Sequence, residues 1–188
     1  MHPRREEIAR TAAALMNRGG YVQTPISELL AATGLEKGGL YHHFASKEEI
    51  AIAAFDHANG ALRERMAAAI DSAARPREQL LAMVDAAFDQ VCSPSEMGGG
   101  CPMINLSASA GDRHPVLRER AAAAMGELRE GARALLRADP DPPPDPDALG
   151  DLVVTLVEGA IAVRDVTGDD AVIAPARAHI HDLLEVSQ

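Results

Sequence analysis

Residues 37–44, KGGLYHHF, carry two kinds of chemistry in one short run. At helical spacing Leu40 and Phe44 share a face, while Lys37, Gly38, Gly39, Tyr41 and His42 fall opposite, with His43 at the margin. The second face offers an ammonium, a phenol and an imidazole, all hydrogen-bond donors. Beside them stand two residues with no side chain to hold a partner away. A helix built this way suits the major groove of a DNA duplex. His42 and Lys37 are the candidates for reading base edges, and Gly38 and Gly39 let the backbone come close. Two roles stay open for His43, a phosphate contact or a cap on the small core beneath. Thr24, just ahead of the preceding apolar stretch, is a candidate helix cap that could also touch a phosphate.

Cys101 is a second place where chemistry could sit. If Pro102 takes the first helical position, the Cys101 sulfur faces the positive end of a helix, which lowers a thiol pKa and favours the thiolate. Cys92 ends a helix, where the dipole acts the other way, so Cys101 is expected to alkylate faster than Cys92. The other reading of Cys101 is a buried, inert residue lining a cavity. Seven histidines do not assemble into a metal motif. His179 and His181 leave a helix in different directions, and neither cysteine has a ligand at metal-site spacing. No metal and no other cofactor is expected. A catalytic arrangement is equally absent from the pattern. No motif pairs Cys101 with a histidine base, and the glycines at 98–100 follow no strand and lack the basic residue of a phosphate-cradling loop.

The elements that must hold these residues all read as helices. Pro25 suits a first helical position, Ile26, Leu29 and Leu30 recur at helical spacing, and Gly34 can adopt the left-handed conformation that ends a helix. Leu35 can then pack under the turn before a second helix over residues 36–44. A preceding helix, residues 4–18, presents Ile8, Ala12, Leu15 and Met16 as the third wall of a small core. Arg4, Arg5 and Arg10 near its start read either as a solvated face or as phosphate contacts. Ser46 with Glu49 forms a capping-box pattern opening a long helix over 47–73, buried along Ile50, Ala54, Ala58, Leu62, Met66 and Ile70.

Further helices begin at Pro76, Pro102 and Pro115. Residues 139–147, DPDPPPDPD, cannot be helical and read as an exposed linker. Two last helices cover 148–166 and 173–186. The first of them is apolar over too much of its circumference for one-sided packing, so it is either central or has a second partner. The fold expected is all-α: a three-helix helix-turn-helix DNA-binding domain over 1–50, then a helical bundle over 51–188.

Composition narrows the class. The chain has 188 residues, enough for a substantial core, and no apolar run approaches the ~20 residues of a membrane span. Two cysteines are too few for a disulfide framework. A soluble, cytoplasmic protein with no membrane partner is the expectation. The net charge of −10 argues against nucleic acid only if it is spread evenly, and it is not. Residues 1–50 carry six basic and six acidic side chains, so the remaining 12 basic and 22 acidic ones place the whole excess beyond residue 50. Both lysines, Lys37 and Lys47, lie in the first part.

The run GLEKGGLYHHFASKEEI, with the pattern extending back through Ile8 and forward to Ile50, resembles the recognition-helix signature of the TetR family of bacterial transcription regulators. Gly39 departs from the side chains that family usually places there. The resemblance implies a homodimer on a pseudo-palindromic double-stranded operator, released by a small-molecule effector, with repression as the usual output. It implies phosphate contacts for Tyr41 and Lys47; partial core packing and ordinary surface charge are the respective alternatives. It further implies an effector cavity in the second domain drawing on Phe55, Leu62, Met66, Phe88, Cys101, Met103 and Met125, each of which also reads as simple core. With only Phe55 and Phe88 as aromatics beyond residue 50, an apolar or electrophilic effector fits better than a large stacked drug. Pairing of the last two helices between subunits is implied through Leu152, Leu156, Ile161, Ile180 and Leu184. The competing class is a helical ligand-binding protein without specific DNA binding.

Overall fold

The computed structural model describes residues 3–92 and 100–186. Among these the chain forms nine α-helices and no strand: α1 (Pro3–Gly19), α2 (Ile26–Thr33), α3 (Lys37–His43), α4 (Lys47–Asp71), α5 (Pro76–Cys92), α6 (Pro102–Ala110), α7 (Pro115–Arg137), α8 (Pro146–Thr167) and α9 (Ile173–Val186). The glycines at 98 and 99 lie outside the described residues. No described helix is long and apolar enough to cross a membrane.

Two compact units result. The first is Met1–Ala61 with Ser95–Ala124, and the second is Leu62–Pro94 with Met125–Gln188. The helix-turn-helix segment thus shares its unit with α6 and the start of α7, which differs from a simple cut at residue 50. In the first unit Ile8, Ala12 and Met16 of α1 close over Leu29, Leu40, Phe44 and Ile50, all essentially inaccessible to solvent. Tyr21 follows α1, buried edge-on against Phe55 with ring centroids 6.3 Å apart. Its N–H donates to Ser109 Oγ at 3.2 Å, and Asn105 Nδ2 donates to the Asn17 carbonyl at 3.0 Å, so α6 is stitched to the end of α1 by polar contacts.

The second unit packs α5, α8 and α9 on one another. Its buried residues include Leu80, Val84 and Phe88 of α5, Val153, Val157 and Ile161 of α8, and Ile173, Ile180 and Leu184 of α9. Three residues of the expected subunit interface turn inward here. Ile161, Ile180 and Leu184 are core residues of one protomer, while Leu152 stays 44% exposed. The reason lies in α8, which is apolar around most of its girth, so its sequence does not say which face turns inward. Along α7, Arg129 and Arg133 both grip Asp151, and Arg137 grips Asp147, each with paired nitrogen–oxygen contacts of 2.6–3.0 Å. The two guanidiniums hold the Asp151 carboxyl far below the usual carboxylate range. At Gly150 the helices come so close that an added Cβ would lie 3.0 Å from the Arg133 backbone nitrogen.

The proline-rich segment is largely exposed, as its composition suggests, but it is tied down at two points. Pro143 is buried, and Asp139 pairs with Arg77 at 3.3 Å, the two side chains only 10% and 14% exposed. Arg77 also donates to the carbonyls of Asp141 and Leu184, at 2.7 and 2.8 Å. One arginine therefore pins the segment to the start of α5 and the end of α9. Composition reports that the backbone cannot be helical; it says nothing about what holds it down.

Candidate nucleic-acid interface

The turn between α2 and α3 depends on Gly34, which sits at φ 65° and ψ 21°, a left-handed conformation that ends α2 without a Cβ penalty. The start of α2 differs from expectation. Pro25, not Thr24, is the capping residue, and no side chain caps that end. Thr24 is 3% exposed, its N–H and its hydroxyl both donating to the Gly20 carbonyl, at 3.1 and 2.8 Å. α2 starts two residues later and no N–H of its first turn donates to the Thr24 hydroxyl oxygen, so Thr24 does not cap it, and with both donors spent inside the α1–α2 turn it is not an exposed phosphate ligand either.

α3 turns Leu40 and, at its C-cap, Phe44 into the core, while Lys37, Gly38, Tyr41 and His42 are exposed. Gly39 and His43 are half-buried, and the His42 and His43 rings meet edge-on at 5.3 Å. Open space surrounds Gly38: a Cβ there would meet nothing within 4 Å. At Gly39 it would touch Leu35 Cδ2 at 3.6 Å, an ordinary contact. Neither glycine is required by the fold. Each weakens a seven-residue helix by roughly 0.5–1 kcal/mol relative to alanine, so their presence here calls for an explanation outside the protomer.

α4 begins with the expected Ser46 cap, the Glu49 N–H donating to Ser46 Oγ at 3.1 Å. The reciprocal bond is shifted by one residue: the Glu49 carboxylate accepts from the Ala45 N–H at 2.6 Å. Lys47 donates to the Val22 carbonyl, bridging α4 to the α1–α2 turn. Partial burial lowers its pKa, and two further N–H groups remain on the ammonium.

Two side chains that read from the sequence as a solvated face or phosphate contacts organise this surface instead from within. Arg4 donates to the Thr33 carbonyl at the end of α2, at 3.3 Å, and to Glu7. Arg5 donates to the His43 carbonyl at the end of α3 and to Glu49 in α4, with its guanidinium carbon 4.1 Å from the centre of the Phe44 ring. Both helices of the turn thus end on an arginine from α1, which satisfies carbonyls that the helices cannot satisfy themselves. The Arg5 guanidinium, followed by the Ala45 N–H, holds the Glu49 carboxyl below its usual range. No periodicity signals such contacts, because they join positions 38 and 44 residues apart.

The remaining candidates are scattered. Phe55, Cys101 and Met103 belong to the first unit, and Leu62, Met66, Phe88 and Met125 to the second. All but half-buried Met125 are buried. Two open clefts in the second unit, ≈ 580 and ≈ 550 Å³, are lined by other residues, including Arg75, Asp139 and Leu184 in one and Cys92, Arg177 and His181 in the other. Cys101 does precede Pro102 at the N-terminus of α6. It is buried, however, whereas Cys92 is exposed, so access favours Cys92 where the helix position favours Cys101. Beside Cys101, burial, with the sulfur's own charge adding to it, pushes the Tyr21 phenol well above its usual range.

This architecture recurs in known proteins. Residues 8–54 match the model described as bacterial regulatory proteins, tetR family, and residues 76–180 match the tetracyclin repressor-like C-terminal domain. An uncharacterised HTH-type transcriptional regulator of Mycobacterium tuberculosis is 32% identical over 172 residues, 88% of this chain and 86% of that protein. The HTH-type transcriptional repressor NemR of Escherichia coli is 30% identical over 136 residues, 72% of this chain and 66% of NemR. Among solved structures, a TetR transcriptional regulator from Chloroflexus aurantiacus superposes with a TM-score of 0.84 at 36% identity, covering 94% of this chain and 91% of that one.

Proposed function

The chain belongs to the TetR family of bacterial transcriptional regulators, and from that premise we propose that it is a homodimeric repressor of a pseudo-palindromic operator, released by a small apolar or electrophilic effector. The observation that carries this reading is α3: a donor-rich, unhindered face of Lys37, Gly38, Tyr41 and His42 outside, over Leu40 and Phe44 inside. On this reading His42 and Lys37 address base edges, Tyr41 holds a phosphate, and Gly38 and Gly39 allow the backbone to approach. His43 stands at the rim of the contact. The effector acts on the second unit, around Leu62, Met66, Phe88 and Met125, and α4, whose residues belong to both units, carries the change toward α3.

Support for the dimer comes from α8. Leu152, Leu156, Gly159, Val163 and Val166 recur at alternating steps of four and three, and three of them are large apolar residues left 44%, 50% and 87% exposed. A seam of that period is what helix pairing between subunits uses. It replaces the buried trio Ile161, Ile180 and Leu184 as the surface presented to the partner.

The direct test passes a genomic library over purified protein and sequences what is retained. The expected fragments share two half-sites about 10–10.5 bp apart, or a multiple of that spacing. Retention without any common sequence would instead identify a ligand-binding helical protein that no longer reads DNA. Two variants refine the contact list. Lys47→Ala is expected to weaken all duplexes alike and to lower the slope of log affinity against log salt by about 1. An unchanged slope with reduced thermal stability would leave Lys47 as a strut to Val22 only. Gly38→Ala is expected to raise stability by about 0.5–1 kcal/mol. The same change is expected to reduce operator affinity about tenfold, since the new methyl stands between backbone and groove. Unaltered affinity would remove Gly38 from the interface.

A further inference from the structure

α3 is poorly equipped to hold its own shape. It has seven residues, two of them glycine, and no side chain caps its first turn. Helices this short do not persist without outside support. Burial of Leu40 and Phe44 anchors one side. Its C-terminal end is held by Arg5, which reaches the His43 carbonyl, the Glu49 carboxylate and the face of the Phe44 ring together. Glu49 in turn takes the Ala45 N–H at 2.6 Å, within the short link between α3 and α4. A single guanidinium therefore fixes the start of α1, the last turn of α3 and the first turn of α4 against each other.

We propose that Arg5 is a positioning residue for DNA reading, which sets the angle at which α3 meets the groove without itself touching the duplex; this rests on the regulator reading above. Its planar fork is what allows one side chain to serve a carbonyl and a carboxylate at once, which the point charge of a lysine does not do. Its charge faces Glu49, so it adds little to the field that attracts phosphate. A basic residue near the start of the chain would otherwise be assigned a phosphate contact, and the two roles differ in what they do to salt dependence.

The test uses full-length protein, a fragment retained by the wild type from the genomic library, and a random duplex of equal length. Arg5→Gln is expected to lower affinity for the retained fragment about tenfold, the loss of roughly one base contact. Affinity for the random duplex and the salt slope stay at wild-type values. Arg5→Lys does not restore binding. Glu49→Gln, which leaves the contacts of Arg5 with His43 and Phe44 in place, shows a smaller loss, and the double variant is no worse than Arg5→Gln alone. Glu49→Gln also keeps the test decisive if Arg5→Gln fails to fold. A slope reduced by about 1, with parallel losses on both duplexes and rescue by lysine, would make Arg5 a phosphate ligand and overturn the proposal. So would wild-type affinity in the variants. A wild-type protein that retains no fragment removes the regulator reading, and this proposal with it.

Discussion

Leu152→Asp combined with Val163→Asp is expected to yield a folded monomer whose operator affinity is at least about 100-fold below that of the wild type. Both side chains stand on the outer face of α8 and are about half exposed, so a carboxylate at either position meets solvent in the isolated protomer and leaves its core intact. In a paired structure the same carboxylates are forced against each other across a two-fold axis and stripped of water, which a symmetric contact cannot compensate. Loss of the partner then removes the second half-site from reach. Bivalent attachment multiplies affinity by about 10²–10⁴ without any new contact, and that factor disappears. Sedimentation and far-ultraviolet circular dichroism check the two halves of the claim. A variant that sediments as a dimer places the seam elsewhere; one that loses its helical signal shows that these residues support the protomer.

Phe44→Ala is expected to destabilise the first unit by about 3–5 kcal/mol and to abolish specific binding at temperatures where the wild type still binds. Phe44 is 1% exposed and, on the same inward face as Leu40, closes the α3 side of the core. Truncation leaves a cavity and also removes the ring over which the Arg5 guanidinium lies at 4.1 Å. With only seven residues and two glycines, α3 has no reserve of its own helical stability to draw on. Urea titration followed by tyrosine fluorescence, which reports on the first unit because both tyrosines lie there, reads the loss directly. A change below about 1 kcal/mol would mean that the core closes over the gap, and α3 would then be better supported than its contacts imply.

The family and the all-helical fold could be read from the chain because they rest on local signals. Proline and glycine punctuate helix ends, Ser46 opens α4, and the run around Lys37 to Phe44 alternates inner and outer faces at helical spacing. What could not be read depends on distance or on choice of face. Arg4 and Arg5 read as a solvated face or as phosphate contacts, since nothing near them in sequence announces the carbonyls of Thr33 and His43. Thr24 has the chemistry of a helix cap, but α2 begins one residue later than Pro25 suggests, which moves the capping position past it. On α8 the apolar residues surround the helix, so Ile161 and Val163 look equivalent until one is seen inside and the other outside. Cys101 does stand at a helix start, and its burial, which no local pattern announces, opposes the reactivity that the position alone suggests.

The Arg77 anchorage bears on how this protein meets a protease. A stretch of aspartates and prolines joining two long helices has the composition of a favoured nicking site. Here cleavage would first require breaking the hold of Arg77 on Asp139, Asp141 and Leu184 and lifting Pro143 out of its packing. Limited digestion should therefore leave α7 and α8 covalently joined while looser parts of the chain are trimmed, and it should cut between them once Arg77 is replaced.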